Sequence, residues 1–312
     1  MITLGVVTRA ETFERMQAPL ADRGIEVRHV PVTERALHVS GSERAPVPDD
    51  GDSDGHAPEG NAPRGQHLRA LAGRVDVGHV YPSRLMEGGA VDALLGVPWV
   101  NDAEAVLTSR NKGGVLAALD AAGVPTPATA VVSSPADETT LERVFERFEP
   151  PVVVKPNSAT RGVGVTRVDD LDAFLGVCDY LDLVHDYRAT GDKSFVVQEY
   201  LPGARDLRAM TIAGEYVGCV ERRLPDGDGW KHNVHRGAVA EGVTPPPRIR
   251  ALAERTAREL GIDFLGVDLL VTDDRAAVSE TNARPTIDDA TKYEPDFYDR
   301  LATLVRERAE TA

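Results

Sequence analysis

Three oxygen-bearing side chains near the C-terminal end of this chain are spaced for joint chemistry: Asp268, Glu280 and Asn282. Asp268 and Glu280 are equidistant from Asp274, the middle of the polar turn Thr272-Asp273-Asp274-Arg275. A hairpin pairing symmetrically about that residue sets the two carboxylates opposite each other, with Asn282 on the Glu280 face. Like charges in that position are destabilising unless a cation lies between them. The neighbours Leu265, Val267, Leu269, Leu270 and Val278 are apolar, so the pair is expected to be partly dry. Hard oxygen donors, few in number, suit magnesium shared with phosphate oxygens. The plainer alternative is a solvent-facing hairpin with incidental acids.

Upstream, the β-branched run Val152-Val153-Val154 ends in Lys155 and leads into Thr160-Arg161-Gly162-Val163-Gly164. Glycines there let backbone N–H groups approach a polyphosphate, and the lysine supplies a point charge. No helix begins at these glycines and no Gly-Lys-Ser/Thr follows, which excludes the Rossmann and Walker loops. An ordinary surface hairpin with a solvated lysine is the competing reading. Gln198-Glu199-Tyr200-Leu201 runs into Pro202-Gly203, a strand end whose backbone can pair with adenine while Asp206 takes a ribose; a plain strand end is the alternative. Arg222-Arg223, Lys231-His232-Asn233 and His235-Arg236-Gly237 form the densest basic stretch of the chain. Its local sign opposes that of the whole protein, favouring a clamp for phosphate and substrate carboxylate over a solvated face. A zinc site at His232 and His235 lacks further ligands.

The elements that must position these groups are read from periodicity and punctuation. Strand Thr3–Val7, helix Thr12–Arg23 and strand Glu26–Val32 make a βαβ-like start. About residues 40–67 the chain is rich in Gly, Pro, Asp and Ser, and reads as a mobile acidic insertion. Strands at Asp76–Tyr81 and Trp99–Val100 flank a helix at Gly88–Leu95. Helix Lys112–Ala122 stops at Gly123, with Pro125 and Pro127 beyond. Thr129–Val132, Val152–Lys155, Gly162–Arg167, Phe195–Tyr200, Leu207–Ile212, Tyr216–Arg222, Leu265–Val271 and Ala276–Glu280 read as strands. Leu141–Phe148, Leu171–Tyr180, Pro247–Leu260 and Phe297–Glu310 read as helices. The fold class is therefore α/β at the start and α+β in the second half. The expected divisions are residues 1–107, 108–194 and 195–312.

Composition narrows the function. The chain has 312 residues and a net charge of −15, with no basic stripe of the kind nucleic acid requires. A solvated acidic surface screened by a high-salt cytoplasm accounts for that charge. Arginine supplies nearly all the positive charge; the lysines are Lys112, Lys155, Lys193, Lys231 and Lys292. Cys178 and Cys219 show no metal or redox spacing, and neither a signal-peptide pattern nor an apolar run of about 18 residues is present. The expectation is a cytoplasmic protein with no membrane or nucleic-acid partner; a homo-oligomer stays open.

The order of these motifs resembles the ATP-grasp superfamily, and most closely its RimK-like carboxylate–amine ligases. The likeness spans roughly residues 80–290 and is tightest from Glu221-Arg222-Arg223 through Asn233-Val234-His235-Arg236-Gly237. It implies an N-terminal α/β pre-grasp domain and two lobes enclosing ATP. In this resemblance Lys112, in Ser109-Arg110-Asn111-Lys112, is the first ATP lysine, Lys155 the second and Glu199-Tyr200 the hinge. Lys231-His232-Asn233 stands for an arginine-x-asparagine phosphate contact, and Asp268, Glu280 and Asn282 for the ligands of magnesium or manganese, two ions. Arg222 is then placed for a developing oxyanion, with Arg208, His235 and Arg236 as substrate anchors. After the metal asparagine the family continues with a small residue, Ser, Pro, Gly; this chain has Ala283-Arg284-Pro285-Thr286, which makes Arg284 a contact for a different substrate carboxylate. The implied reaction joins an amino acid, glutamate or a relative, to a carboxylate acceptor that is a small molecule, a cofactor or a protein tail. A D-alanine or glutathione-synthetase-type ligase and a non-catalytic nucleotide sensor are the alternatives.

Overall fold

A computed structural model describes residues 1–8, 11–32, 75–160, 162–184, 192–223 and 239–311. The expected acidic insertion, Arg161, and the segment with Lys231, Asn233, His235 and Arg236 lie outside the described residues. The chain divides into two compact units, one of Met1–Val100 with Val305–Ala312 and one of Asn101–Leu304.

In the first unit β1 (Ile2–Val6) pairs in parallel with β2 (Ile25–His29) and with β3 (Val77–His79), in the order β2-β1-β3. The connection from β1 to β2 runs through α1 (Glu11–Ala21), and α2 (Leu85–Leu95) follows β3. Parallel pairing needs such crossovers, and the α/β start is as expected. Leu4 and Val6 from β1 and Leu20 from α1 are fully buried in this unit. Trp99 makes an isolated bridge to Gly78 instead of the expected strand.

The second unit opens with α3 (Ala103–Arg110), a helix the sequence reading left out. Asp102 caps it by accepting from the Ala105 N–H at 2.9 Å. Its apolar periodicity is weak, because its buried residues are Val106, Ser109 and Arg110, so the expected boundary at residue 107 falls inside it. Asn111 ends α3 and caps α4 (Lys112–Ala121) through the Gly114 N–H.

Two antiparallel sheets follow. The first has the order β4-β7-β5-β6, from β4 (Thr129–Val132), β5 (Val152–Pro156), β6 (Thr166–Val168) and β7 (Phe195–Glu199). Because β7 pairs with β4 and β5, this lobe runs to Glu199 rather than stopping at 194. One sheet face buries Val152, Val154, Phe195 and Val197 against Leu141 and Phe145 of α5 (Glu138–Phe145) and Phe174, Cys178 and Leu181 of α6 (Leu171–Val184). Strand alternation then sends Lys155 and Gln198 to the opposite face. The expected strand at Gly162 begins only at Thr166: Gly162 and Gly164 have φ of 67° and 75°, left-handed values that make residues 162–165 a turn.

The second sheet has the order β10-β9-β8-β11-β12. It comprises β8 (Arg205–Ile212), β9 (Glu215–Arg223), β10 (Val239–Gly242), β11 (Phe264–Val271) and β12 (Ala276–Asn282). Strand β10, four residues with no buried side chain, lacked an apolar signal and was not anticipated. Helix α7 (Pro247–Leu260) buries Ile249, Ala253, Thr256 and Ala257, starting at a proline and ending at Gly261 in the left-handed conformation. Helix α8 (Phe297–Glu310) has the expected bounds.

Candidate active site

The carboxylate hairpin pairs as its spacing requires, by a different route. Asp268 lies opposite Glu280, but Leu269 pairs with Val278, Leu270 with Ala277 and Val271 with Ala276. The turn is therefore the tight one at Asp273-Asp274, and Ser279 is an extra residue in β12, a bulge that restores the Asp268–Glu280 match. The Ser279 hydroxyl donates to the Asp268 carbonyl at 3.2 Å. Asn282, paired with Gly266, ends the strand on the Glu280 side of the sheet. Its Oδ1 accepts from the Arg284 N–H at 2.8 Å, which fixes the amide and places Arg284 immediately beyond.

The cation that opposes Asp268 within the fold is a guanidinium. Register sets Arg208 of β8 beside Asp268, and Arg208 donates to both its oxygens at 2.6 and 2.7 Å. Arg222 of β9 lies 3.1 Å from Asp268 and also donates to Asp206, at 3.1 Å through Nε. Asp206, expected at a ribose, is thus drawn into this arginine–carboxylate cluster. Asp268 is buried; burial raises a carboxyl pKa, yet Arg208 and Arg222 outweigh it and hold the group at about 2. Burial would lower the pKa of Arg222, but Asp268 and Asp206 overcome that and raise it.

The two lysines interact electrostatically with the same hairpin. Lys112, buried at the start of α4, donates to the Ala159 carbonyl and lies 3.8 Å from Glu280. Lys155 donates to Gln198 Oε1 at 3.0 Å and, more weakly, to the Ser279 carbonyl at 3.4 Å. Gln198 in turn donates to the Thr129 hydroxyl at 2.9 Å. Burial pushes the Lys155 pKa down to about 8, against the opposing pull of Glu280 and Asp268. Asn157 locks the two lysine-bearing segments together. Its Oδ1 accepts from the Gly113 N–H at 2.7 Å, its Nδ2 donates to Asn111 Oδ1 at 3.0 Å, and its carbonyl accepts from the Lys112 N–H at 3.2 Å.

Other expected residues among those described make contacts of their own. Glu199 accepts from the Ala128 N–H at 2.7 Å and from Arg275 at 2.6 Å, which ties the strand end to the far hairpin turn. Tyr200 packs under the Arg167 guanidinium, and Leu201 closes a turn by accepting from the Ala204 N–H. The Thr160 carbonyl accepts from the Val163 N–H in the glycine turn. Lys112 with Glu280, Lys155 with Gln198, and Arg208 and Arg222 with Asp206 and Asp268 thus form three contact sets that act on one another through their charges. Ser109, Asn101, Asn157 and Ser279 escaped the sequence reading; Asn157, two residues after Lys155, carried the nearest thing to a signal.

Among the described residues no cluster of three or more His, Cys, Asp or Glu side chains is spaced to hold a metal. Two facing carboxylates and one amide oxygen instead make a sparse, hard donor set, the kind magnesium accepts when phosphate and water oxygens fill the rest of its shell. The residues fit that ion.

A model of the RimK-like ATP-grasp domain matches residues 109–297. A probable alpha-L-glutamate ligase of Citrobacter koseri is 31% identical over 201 residues, covering 64% of this chain and 64% of the relative. A ribosomal protein bS6–L-glutamate ligase of Salmonella paratyphi B is 32% identical over 197 residues, covering 62% of each. The matched stretch therefore spans less than two thirds of these relatives. The D-alanine–D-alanine ligase of Bacillus anthracis, solved with ATP, superposes with a TM-score of 0.68 at 18% identity, covering 100% of this chain and 98% of that one.

Proposed function

This chain belongs to the RimK-like ATP-grasp family and has the ATP-grasp fold; on that premise we propose that it is an ATP- and magnesium-dependent carboxylate–amine ligase. The observation that carries the reading is Asp268 facing Glu280, with Lys112 and Lys155 reaching toward the same pair. Magnesium or manganese, two ions, held by Asp268, Glu280 and Asn282 would neutralise phosphate charge. Lys112, Lys155 and the turn at Thr160, Gly162 and Gly164, with Arg161, hold the phosphates. Gln198, Glu199, Tyr200 and Leu201 form the adenine-side strand end, with Asp206 on its ribose side.

The acceptor carboxylate attacks the γ-phosphate, giving an acyl phosphate and ADP. The amine of an amino acid then attacks the acyl carbon and phosphate leaves, forming the amide. The protein contributes positioning and charge rather than a nucleophile. Arg222, with Lys231 and Asn233, stabilises the developing oxyanion and phosphate; Arg208, His235, Arg236 and Arg284 anchor substrate carboxylates. Glutamate is the favoured amino acid, because the sequence relatives are named as glutamate ligases. The acceptor is a small molecule, a cofactor or a protein tail.

Acceptor-dependent release of ADP and phosphate, screened over candidate carboxylates and amino acids at high salt, tests this reading. Wild-type turnover by Glu280→Ala would falsify the metal assignment, and tight nucleotide binding without any turnover across the screen points to a sensor.

A further inference from the structure

Ala283 is the first residue past β12, so the strand ladder, whose last pair is Gly266 with Asn282, offers its backbone no partner. Two side chains supply one instead. The Ala283 N–H donates to Ser109 Oγ at 2.9 Å, and the Ala283 carbonyl accepts from Asn101 Nδ2 at 2.7 Å. Asn101 stands just before α3 and Ser109 in its last turn, so the two ends of one helix grip one residue from both sides. Ser109 Oγ also lies 3.1 Å from Thr281 Oγ1, while Asn101 holds Phe264 of β11, donating to its carbonyl at 2.6 Å and accepting from its N–H at 3.3 Å. Asn101, Ser109, Thr281 and Ala283 are all buried.

The position of this clamp is what gives it consequence. Thr281 and Ala283, both bound to Ser109, bracket Asn282, and Ala283 alone separates Asn282 from Arg284. At the Ser109 end α3 passes through Asn111 directly into Lys112. The last turn of α3 therefore connects the end of the carboxylate strand to the first lysine.

We propose that Ser109, with Asn101 holding the other side of the same residue, is a positioning residue that sets where Asn282 and Arg284 present their side chains. The proposal rests on the ligase reading above, in which Asn282 is a metal ligand. Without the Ser109 hydroxyl the buried Ala283 N–H loses its acceptor, and the strand end shifts to satisfy it. Groups that orient metal ligands in this way change metal affinity by about tenfold to a hundredfold when removed.

The test is Mn²⁺ binding to the full chain with ADP present, followed by electron paramagnetic resonance, alongside urea unfolding. Ser109→Ala is expected to weaken Mn²⁺ about tenfold or more while remaining folded. Thr281→Val, which leaves the Ala283 N–H on Ser109, is expected to stay within about threefold of wild type. Unchanged Mn²⁺ affinity in folded Ser109→Ala overturns the proposal, as does an equal loss in both variants. If Ser109→Ala does not fold, Ser109→Cys, with a weaker acceptor of similar size, replaces it under the same expectations. Wild-type protein that binds no Mn²⁺ with ADP sinks the ligase reading itself, an outcome separate from the first two.

Discussion

Glu221 and Arg222 are neighbours on β9 and point to opposite faces of the five-stranded sheet. On one face Glu221 accepts from Arg205 at 2.8 and 2.7 Å and from Arg223 at 2.8 Å, and the two arginine side chains are 52% and 57% exposed. On the other face Arg222 and Arg208 meet Asp206 and Asp268 with exposures of only 12% and 21% for the arginines. Both clusters pair two arginines with carboxylates at similar distances. Both central carboxylates are buried, so the exposure of the arginines makes the difference: Arg205 and Arg223 keep much of their hydration, whereas Arg208 and Arg222 would be left as unmatched charges in a dry site. The outer cluster keeps its arginines in water, and the inner one holds matched charge in a dry site.

Removing charges in turn separates the two faces. The largest effect is expected from Glu280→Ala, which should abolish acceptor-dependent ADP release while leaving the urea midpoint near wild type, since Glu280 is partly exposed and its ion pair among the described residues, with Lys112, spans 3.8 Å. Asp268→Asn should abolish turnover and also lower stability by about 3 kcal/mol in urea unfolding, because it leaves Arg208 and Arg222 buried against a neutral group. Equal stability of the two variants would erase the asymmetry drawn here between facing carboxylates.

A moderate effect is expected from pH. The Lys155 pKa is lowered to about 8 by burial, and bound phosphate favours the charged amine and raises it. Below pH 8 the lysine is charged with or without nucleotide, so its contribution to affinity is constant. Above pH 8 the free protein must take up a proton on binding, so ADP affinity falls as pH rises. Calorimetric titration across that range checks the break, and Lys155→Met should bind weakly without it. The smallest effect belongs to the outer face. Glu221→Gln should change stability by less than about 1 kcal/mol, diminishing with salt, and leave turnover intact. The hydrogen bond from Arg205 holds the Glu221 pKa at about 2, below its ordinary 4.5, so its small contribution is present above pH 4.5 and fades as pH falls toward 2.

What was legible in the chain follows from the range of the forces involved. Helix α7 was read to the residue because its ends are local signals, a proline at the start and Gly261 after the stop. The strands carrying Lys155 and Gln198 were read because their β-branched and apolar runs are local signals. Helix α3 was missed because so little of it faces the core. Asp268 was matched to Glu280 from an odd-numbered turn, whereas the chain makes an even one and absorbs the extra residue at Ser279. The contact of Arg208 and Arg222 with Asp268 was not legible, since only the register between β8, β9 and β11 brings them to that carboxylate.

The bulge at Ser279 has a mechanical meaning. A regular ladder would set Asp268 opposite the residue directly after Val278, so the added residue acts as a spacer whose length is taken up locally. The turn and the carboxylate pair can thus be altered independently of each other. What the spacer adds is a carbonyl in a direction that regular pairing would not give it, and that carbonyl accepts from Lys155. One surplus peptide unit serves as a rivet between two sheets that share no strand.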